Sequence, residues 1–103
     1  MSRSSIVKSK VVRVRVKYLS ELLQSVTGNV EEDVVLEEGS TLRDLLRRVV
    51  NLHGERLREW LFNEREEFTG NILVLVNGEV TPNPERRLRD GDTIILTIPF
   101  NGG

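Results

Sequence analysis

The sequence contains no cysteine and only one histidine, His53, among its 103 residues. Without cysteine the chain can form no disulfide scaffold, cysteine nucleophile or thiolate metal site. A lone histidine also gives no basis for a histidine metal cluster or a Ser-His-Asp constellation. The formal net charge of −1 argues against a globally basic nucleic-acid binder.

Long apolar runs are missing as well. In the first nine residues only Ile6-Val7 precede Lys8, so this segment lacks the apolar core of a signal peptide. No stretch approaches the length of a membrane span. We therefore expect a soluble, cytoplasmic protein without membrane contact, folded as one domain that is large enough to bury a core.

The N-terminal half predicts two strands and one main helix. Residues 1–10 have no period and are expected to be a flexible extension. From Val11 apolar and basic residues alternate, which predicts a half-buried strand; a helical turn follows from Leu19, and a second strand is expected around Asp33 to Glu37. Thr41 and Asp44 resemble a capping box, and the helix after them should run to about His53. Its core face would consist of Leu42, Leu45, Leu46 and Val49.

Gly54 suits the left-handed position that ends a helix, and a shorter helix is expected from Glu55 to Phe62. After a polar loop, the apolar run Ile72 to Val76 predicts a central strand, and Asn77-Gly78 predicts a tight hairpin. Thr93 to Ile98 reads as the last strand. The resulting class is α+β: residues 11–98 form a mixed sheet of four to five strands wrapped on one main helix.

The chain then closes with Pro99-Phe100-Asn101-Gly102-Gly103. Proline cannot donate to a sheet ladder, so Pro99 should end the strand and direct residues 99–103 into solvent. The two glycines would make a thin, mobile arm that ends in a free carboxylate. Chain ends are often small and polar without any role, but here a core strand leads almost directly into the diglycine.

This order of elements resembles the ubiquitin-like β-grasp sulfur carriers, and most of all the MoaD family, the small subunit of molybdopterin synthase. ThiS and the ubiquitin-related and archaeal small modifiers share the plan. The segments that carry the resemblance are Thr41-Leu42-Arg43-Asp44-Leu45-Leu46, Val74-Leu75-Val76-Asn77-Gly78, Leu88-Arg89-Asp90-Gly91-Asp92 and Gly102-Gly103. This chain departs from the MoaD pattern in two places: Phe100-Asn101 stands before the diglycine, and the segment from Glu55 to Gly70 is longer than in the shortest members.

The resemblance implies that a MoeB-like adenylyltransferase joins the Gly103 carboxylate to AMP, using ATP and magnesium that the partner holds. Sulfur from a donor persulfide would then replace AMP and give a thiocarboxylate. Gly102 would provide the slim approach, while Pro99, Phe100 and Asn101 would contact the partner's channel. The chain itself would bind no cofactor or metal stably, and it would be a carrier subunit rather than a stand-alone enzyme.

Three functions remain open at this stage. The first is sulfur donation in molybdopterin synthesis together with a MoaE-like large subunit. The second is a ubiquitin-like modifier or tRNA-thiolation carrier that uses the same activated Gly103, with Lys8, Lys10 and Lys17 as potential isopeptide acceptors. The third is a plain interaction module with an accidental diglycine.

A docking surface is also expected on the sheet. If Ile72, Val74 and Val76 face the helix, Leu73 and Leu75 face outward beside the neighbouring strand, at Ile95 and Thr97. These four side chains would form an apolar partner site near the tail. The alternative is that the segment from Glu55 to Gly70 folds over them and makes them core.

Other sequence features give weaker evidence of function. The Arg13, Arg15 and Lys17 stripe could touch RNA, but aromatic residues for base stacking are few and the exposed side of a strand is commonly charged. The acidic runs Glu31-Glu32-Asp33 and Glu64-Arg65-Glu66-Glu67 could suggest metal sites, but neither has calcium-loop spacing, so both are interpreted as solvated turns. His53 is interpreted as a helix-end residue favoured by the helix dipole.

Overall fold

The computed structural model describes residues 10–99, so residues 1–9 of the predicted extension and the tail residues 100–103 lie outside the described part of the chain. Within it, five strands and three helices follow one another. In chain order they are β1 (Val11–Tyr18), α1 (Glu21–Thr27), β2 (Glu31–Glu37), α2 (Leu42–His53), α3 (Glu55–Leu61), β3 (Leu73–Val76), β4 (Glu79–Val80) and β5 (Thr93–Thr97).

The strands form one mixed sheet in the order β2-β1-β5-β3-β4. β1 pairs antiparallel with β2 but parallel with β5, and β5 pairs antiparallel with β3. Parallel neighbours need a long crossover, which the helical segment between β2 and β3 supplies. The predicted α+β class with a mixed sheet is confirmed, and the last strand of the chain lies at the centre of the sheet.

β1 shows the predicted alternation, because Val14, Val16 and Tyr18 are fully buried while Arg13 and Arg15 are exposed. β2 differs from the prediction: it begins at Glu31 instead of Asp33, so the acidic run is part of a strand and not a solvated turn. Cross-strand pairing explains the difference. Lys17 lies opposite Glu31 and Arg15 opposite Asp33, and opposite charges on facing strands stabilise a sheet.

α2 begins as predicted. The Thr41 hydroxyl accepts the backbone N–H of Asp44, and the Asp44 carboxylate accepts the backbone N–H of Thr41, which completes a capping box. The predicted core face is entirely buried; it consists of Leu42, Leu45, Leu46 and Val49.

Gly54 ends α2 but not in the left-handed helical conformation. Its φ is 111° and its ψ is 174°. The positive φ agrees with the prediction, but the extended ψ differs from the left-handed helical value that was expected. The reason is that α3 starts at the next residue, so Gly54 caps both helices and must turn the chain within one position. A positive φ of this kind favours glycine. α3 then adds Leu57 and Leu61 to the same core that α2 packs on.

The β3–β4 hairpin has the predicted two-residue turn. Asn77 and Gly78 have φ values of 52° and 87°, both positive, as a type I′ turn requires. The Asn77 side chain also ties the turn to β5, since its Nδ2 donates to Asp92 Oδ1 at 2.9 Å and its Oδ1 accepts the Thr93 backbone N–H at 2.9 Å. The turn therefore fixes where β5 starts.

Candidate functional site

The site suggested by the sequence is the end of β5, from which the predicted tail leaves. β1 and β5 run in the same direction, so both end at the same edge of the sheet. The Leu19 backbone N–H donates to the Leu96 carbonyl at 3.0 Å, which holds the end of β5 against the start of the α1 segment. Pro99, the last described residue, is half-buried there. The base of the tail is thus attached to a central strand that is paired on both sides.

The remaining tail positions, Phe100, Asn101, Gly102 and Gly103, lie outside the described residues, so their roles stay predictions. What the structure adds is the anchor. β5 has a strand on each side, and its Ile94 and Leu96 side chains are fully buried. A pull on the tail is therefore resisted by two ladders of backbone hydrogen bonds and by the core.

The face of the sheet away from the helices carries the predicted apolar group near this end. Leu73 pairs with Thr97 and Leu75 pairs with Ile95. All four side chains are half-buried and alternate with buried core residues along their strands. The buried leucines of α3 belong to the core between sheet and α2, on the other face. We call Leu73, Leu75, Ile95 and Thr97 the outer apolar group.

The other half of this face is charged. Arg15 Nε donates to Asp33 Oδ1 at 3.0 Å, and Arg15 Nη1 lies 3.3 Å from Glu31 Oε2. The hydrogen bond between Arg15 and Asp33 raises the pKa of the guanidinium and lowers the pKa of the carboxyl. Because Arg15 already faces two carboxylates, the basic stripe on β1 is compensated by its own neighbour strand, which weakens the nucleic-acid interpretation further.

Sequence reasoning missed a polar cluster on the inner face at the same end of the sheet. The Tyr18 hydroxyl donates to Glu32 Oε2 at 2.5 Å, and His53 Nε2 lies 2.6 Å from that same oxygen. The two rings meet edge to face with centroids 6.3 Å apart. Burial, and then the hydrogen bond to Glu32, raises the pKa of the Tyr18 phenol, so it stays a protonated donor.

This cluster links the end of β1, the start of β2 and the last residue of α2. His53 is a helix-end residue, as interpreted from the sequence, but it also has a specific acceptor. One signal could have found the link: Tyr18 occupies a buried position of an alternating strand, and a buried phenol needs a partner for its hydroxyl. The side chains are largely buried and bonded to one another, which is the geometry of a structural lock rather than a reaction centre.

The run from Glu64 to Glu67 forms an exposed turn, as interpreted from the sequence, but Glu66 within it is half-buried and has specific partners. Three arginines converge on it: Arg47 Nη2 lies 2.6 Å from Oε1, Arg58 Nη2 lies 3.2 Å from Oε2, and Arg43 donates to the Glu66 carbonyl. The hydrogen bond from Arg47 is the main cause of a lowered Glu66 pKa. Glu66 also has a positive φ of 64°. These contacts fasten the loop after α3 to the exposed side of α2.

No helix between residues 10 and 99 combines the length and apolar character that crossing a membrane requires. A five-stranded mixed sheet with a central parallel pair, packed on one face by α2 and α3, defines the ubiquitin-like β-grasp class, and similar solved structures confirm it.

The sequence profile of the ThiS family matches residues 16–103. The chain therefore belongs to the ThiS family, within the superfamily of MoaD, ThiS and ubiquitin-like proteins, and the predicted family resemblance is confirmed. The match extends over the predicted tail. A comparison with curated protein sequences finds no significant match.

Three solved structures illustrate the relationship. The small archaeal modifier protein 1 of Haloferax volcanii is 26% identical with a TM-score of 0.74, over 86% of this chain and 99% of that chain. A protein from Pyrococcus furiosus, provisionally named molybdopterin converting factor subunit 1, is 28% identical with a TM-score of 0.69, over 86% of this chain and 99% of its own. A complex of subunits 1 and 2 of the molybdopterin-converting factor from Helicobacter pylori contains a chain that is 23% identical, with a TM-score of 0.57 and coverage of 89% and 100%.

Proposed function

We propose that this protein is a cytoplasmic sulfur carrier whose Gly103 carboxylate is adenylated and converted to a thiocarboxylate. The observation that carries the proposal is the position of β5. The strand that leads into the diglycine is central and paired on both sides, and only Ile98 lies between its last residue and the tail. A rigid anchor followed by a slim end suits delivery of a carboxylate into a partner's channel.

The chemistry explains why activation is needed. A carboxylate repels nucleophiles, and oxide is a poor leaving group. Attack of the Gly103 carboxylate on the α-phosphorus of ATP releases pyrophosphate and forms an acyl adenylate, whose AMP is a good leaving group. A persulfide sulfur of the donor then attacks the acyl carbon and AMP departs. A thiol cleaves the resulting acyl disulfide, which leaves the thiocarboxylate on Gly103 and a disulfide on the donor.

The composition of the carrier indicates which steps its partner proteins must perform. A chain without cysteine cannot hold the persulfide itself, so a sulfur donor must supply it. ATP and magnesium belong to a MoeB-like adenylyltransferase, where the metal offsets the phosphate charge that would oppose attack. Gly102 provides an approach without a Cβ atom, and Pro99, Phe100 and Asn101 set the reach.

For the recipient we propose a MoaE-like large subunit, with this chain as the small subunit of a molybdopterin synthase. Support comes from the similarity to the Pyrococcus protein, and the Helicobacter complex provides the precedent of two subunits in contact. The outer apolar group would form part of the interface. Leu73 and Leu75 lie on the sheet face that the helices leave free, beside Ile95 and Thr97.

A second candidate is a ubiquitin-like modifier or a carrier for tRNA thiolation, which would use the same activated end. The similarity to the small archaeal modifier protein favours it to a comparable degree. The two recipients can be separated by experiment. Covalent conjugates on lysine in a cell extract would favour the modifier, while a stable complex with a MoaE-like subunit would favour the first proposal.

The activation step is tested by mass spectrometry of the intact protein and its C-terminal peptide. The protein is incubated with ATP, magnesium, an adenylyltransferase of this family and a persulfide donor. We expect one oxygen to be replaced by sulfur at Gly103, and no change when ATP is omitted. An unmodified end, with the adenylyltransferase proven active on another carrier, would overturn the proposal in favour of an interaction module.

A further inference from the structure

The exposed large apolar side chains of the described residues are concentrated at one end of the sheet. Eight of them are exposed between residues 10 and 99, and four belong to segments at the end of the sheet where the chain leaves β5. The exposed fractions are 58% for Leu19, 48% for Leu22, 63% for Val30 and 37% for Ile98. We call these four the tail-base patch. None of them belongs to the outer apolar group.

Backbone hydrogen bonds hold the segments of the patch together. The Leu19 N–H donates to Leu96 at 3.0 Å, so Leu19 lies beside the end of β5, two residues before Ile98. The Tyr18 N–H donates to the Val30 carbonyl at 2.8 Å, which places Val30 at the same end. Leu22 follows in the first turn of α1, where its N–H donates to the Ser20 cap at 3.1 Å.

The fold itself does not need these side chains in its core. α1 packs on the sheet through Leu23 and Thr27, which are buried, and Val26, which is partly buried. Leu22 is left on the solvent side of that short helix. An amphipathic helix normally places a polar residue there, so an exposed leucine three residues after an exposed Leu19 points to a contact made outside the molecule.

The length of the tail indicates which partner makes this contact. Only four residues, 100–103, separate Pro99 from the reacting carboxylate of the proposed function. At about 3.5 Å per residue an extended tail spans about 14 Å. A protein that holds the Gly103 carboxylate in a closed active site must therefore bring its own surface against the base of the tail, where the patch lies.

From this we infer that the tail-base patch is a docking surface for the protein that activates Gly103, and that the facing surface of that protein is apolar. The inference rests on the proposed function. It adds Leu19, Leu22, Val30 and Ile98 to the contacts expected from the sequence. The patch acts in recognition: it brings the carrier and the activating protein together while the chemistry takes place at the carboxylate.

The test uses ATP–pyrophosphate exchange by an adenylyltransferase of this family, measured as a function of carrier concentration. Leu22→Asp is the first variant, because an acidic residue in the first turn of a helix is favourable and α1 should persist. Leu19→Asp is the second. Val11→Asp is the matched control: Val11 is 55% exposed on β1 but lies at the opposite end of that strand.

We expect each patch variant to raise the KM for the carrier about tenfold, the size typical of an interface anchor, with kcat unchanged. Val11→Asp should behave as the unmodified protein. Thermal unfolding checks that every variant is folded. If Leu19→Asp lowers the melting temperature, the test relies on the KM of Leu22→Asp alone.

The inference is overturned if Leu22→Asp keeps the KM of the unmodified protein, or if it lowers kcat alone. Absence of exchange with the unmodified protein is a different result, since it would remove the proposed function and this docking surface with it.

Discussion

His53 Nε2 lies 2.6 Å from Glu32 Oε2, and the Tyr18 hydroxyl donates to that same oxygen at 2.5 Å. One carboxylate oxygen thus joins a strand end, a strand start and a helix end. The link closes the inner face of the sheet at the end from which the tail leaves.

Replacement of Glu32 by Ala should destabilise the fold by about 2 kcal/mol, because it leaves a buried phenol and an imidazole without their acceptor. For a domain of this size the melting temperature should fall by about 10 °C. Thermal and urea unfolding measure the change. Glu31→Ala is the control, since Glu31 is exposed and makes only a surface ion pair. Equal losses in the two variants would refute the lock.

A double-mutant cycle checks the same contact. Tyr18→Phe removes one donor to Glu32, so its cost should be smaller than that of Glu32→Ala. In the double variant the cost should be less than the sum of the two, because the Tyr18 hydroxyl can only lose its acceptor once. Strict additivity would mean that the hydroxyl and the carboxylate do not interact in solution.

The ion-pair cluster at Glu66 predicts a loss of stability in acid. Its folded pKa is lowered from 4.5, mainly by Arg47. A group of this kind contributes stability that is present above its unfolded pKa and is lost as the pH falls through its folded pKa. The melting temperature of the unmodified protein should therefore decline below about pH 4.5.

Glu66→Gln tests the assignment to this residue. The variant should melt below the unmodified protein at pH 7, and the two melting curves should converge as the pH falls, because a protonated Glu66 resembles Gln. Glu64→Gln, an exposed neighbour, serves as the control. A constant gap between Glu66→Gln and the unmodified protein at every pH would contradict the role of the Glu66 charge.

Gly102→Ala should leave the fold intact and reduce adenylation of Gly103 by about a hundredfold, because a methyl group in a channel built for glycine displaces the carboxylate. The pyrophosphate-exchange rate at saturating carrier measures the loss. Asn101→Ala is the comparison, since it removes side-chain atoms beside the same glycine without adding any. Normal turnover by Gly102→Ala would remove the requirement for a slim tail.

Leu73→Asp should weaken binding to the large subunit or the adenylyltransferase tenfold or more, with little effect on the melting temperature. A half-buried leucine on the outer face can accept a charge at low cost to the fold when no helix covers it. Titration calorimetry measures the affinity. Val35→Asp, on the charged half of the same face, is the control. Global unfolding of Leu73→Asp would show that this leucine is part of the core.

The elements that could be predicted from the sequence are those that local signals determine. The alternation in β1, the Thr41-Asp44 capping box and the Asn77-Gly78 turn each depend on a few neighbouring residues. For the same reason the outer positions of Leu73 and Leu75 followed from the parity of a single strand.

What escaped prediction depends on partners that are far away in the chain. β2 extends back to Glu31 because Glu31 lies opposite Lys17 on β1, so local propensity placed the start of the strand two residues too late, at Asp33. His53 and Glu32 are 21 positions apart. Glu66 is recruited by arginines of α2 and α3, which a charge run alone does not reveal. No local pattern encodes such pairings.

The central place of β5 has a consequence for synthesis of the protein. The sheet order puts the last strand of the chain between β1 and β3, so a nascent chain that stops before Thr93 has two half-sheets and no strand to join them. Closure of the fold must wait for β5, the segment that leads into the diglycine. An interrupted product would stay open to proteolysis, so the folded population should consist of chains whose synthesis has passed β5.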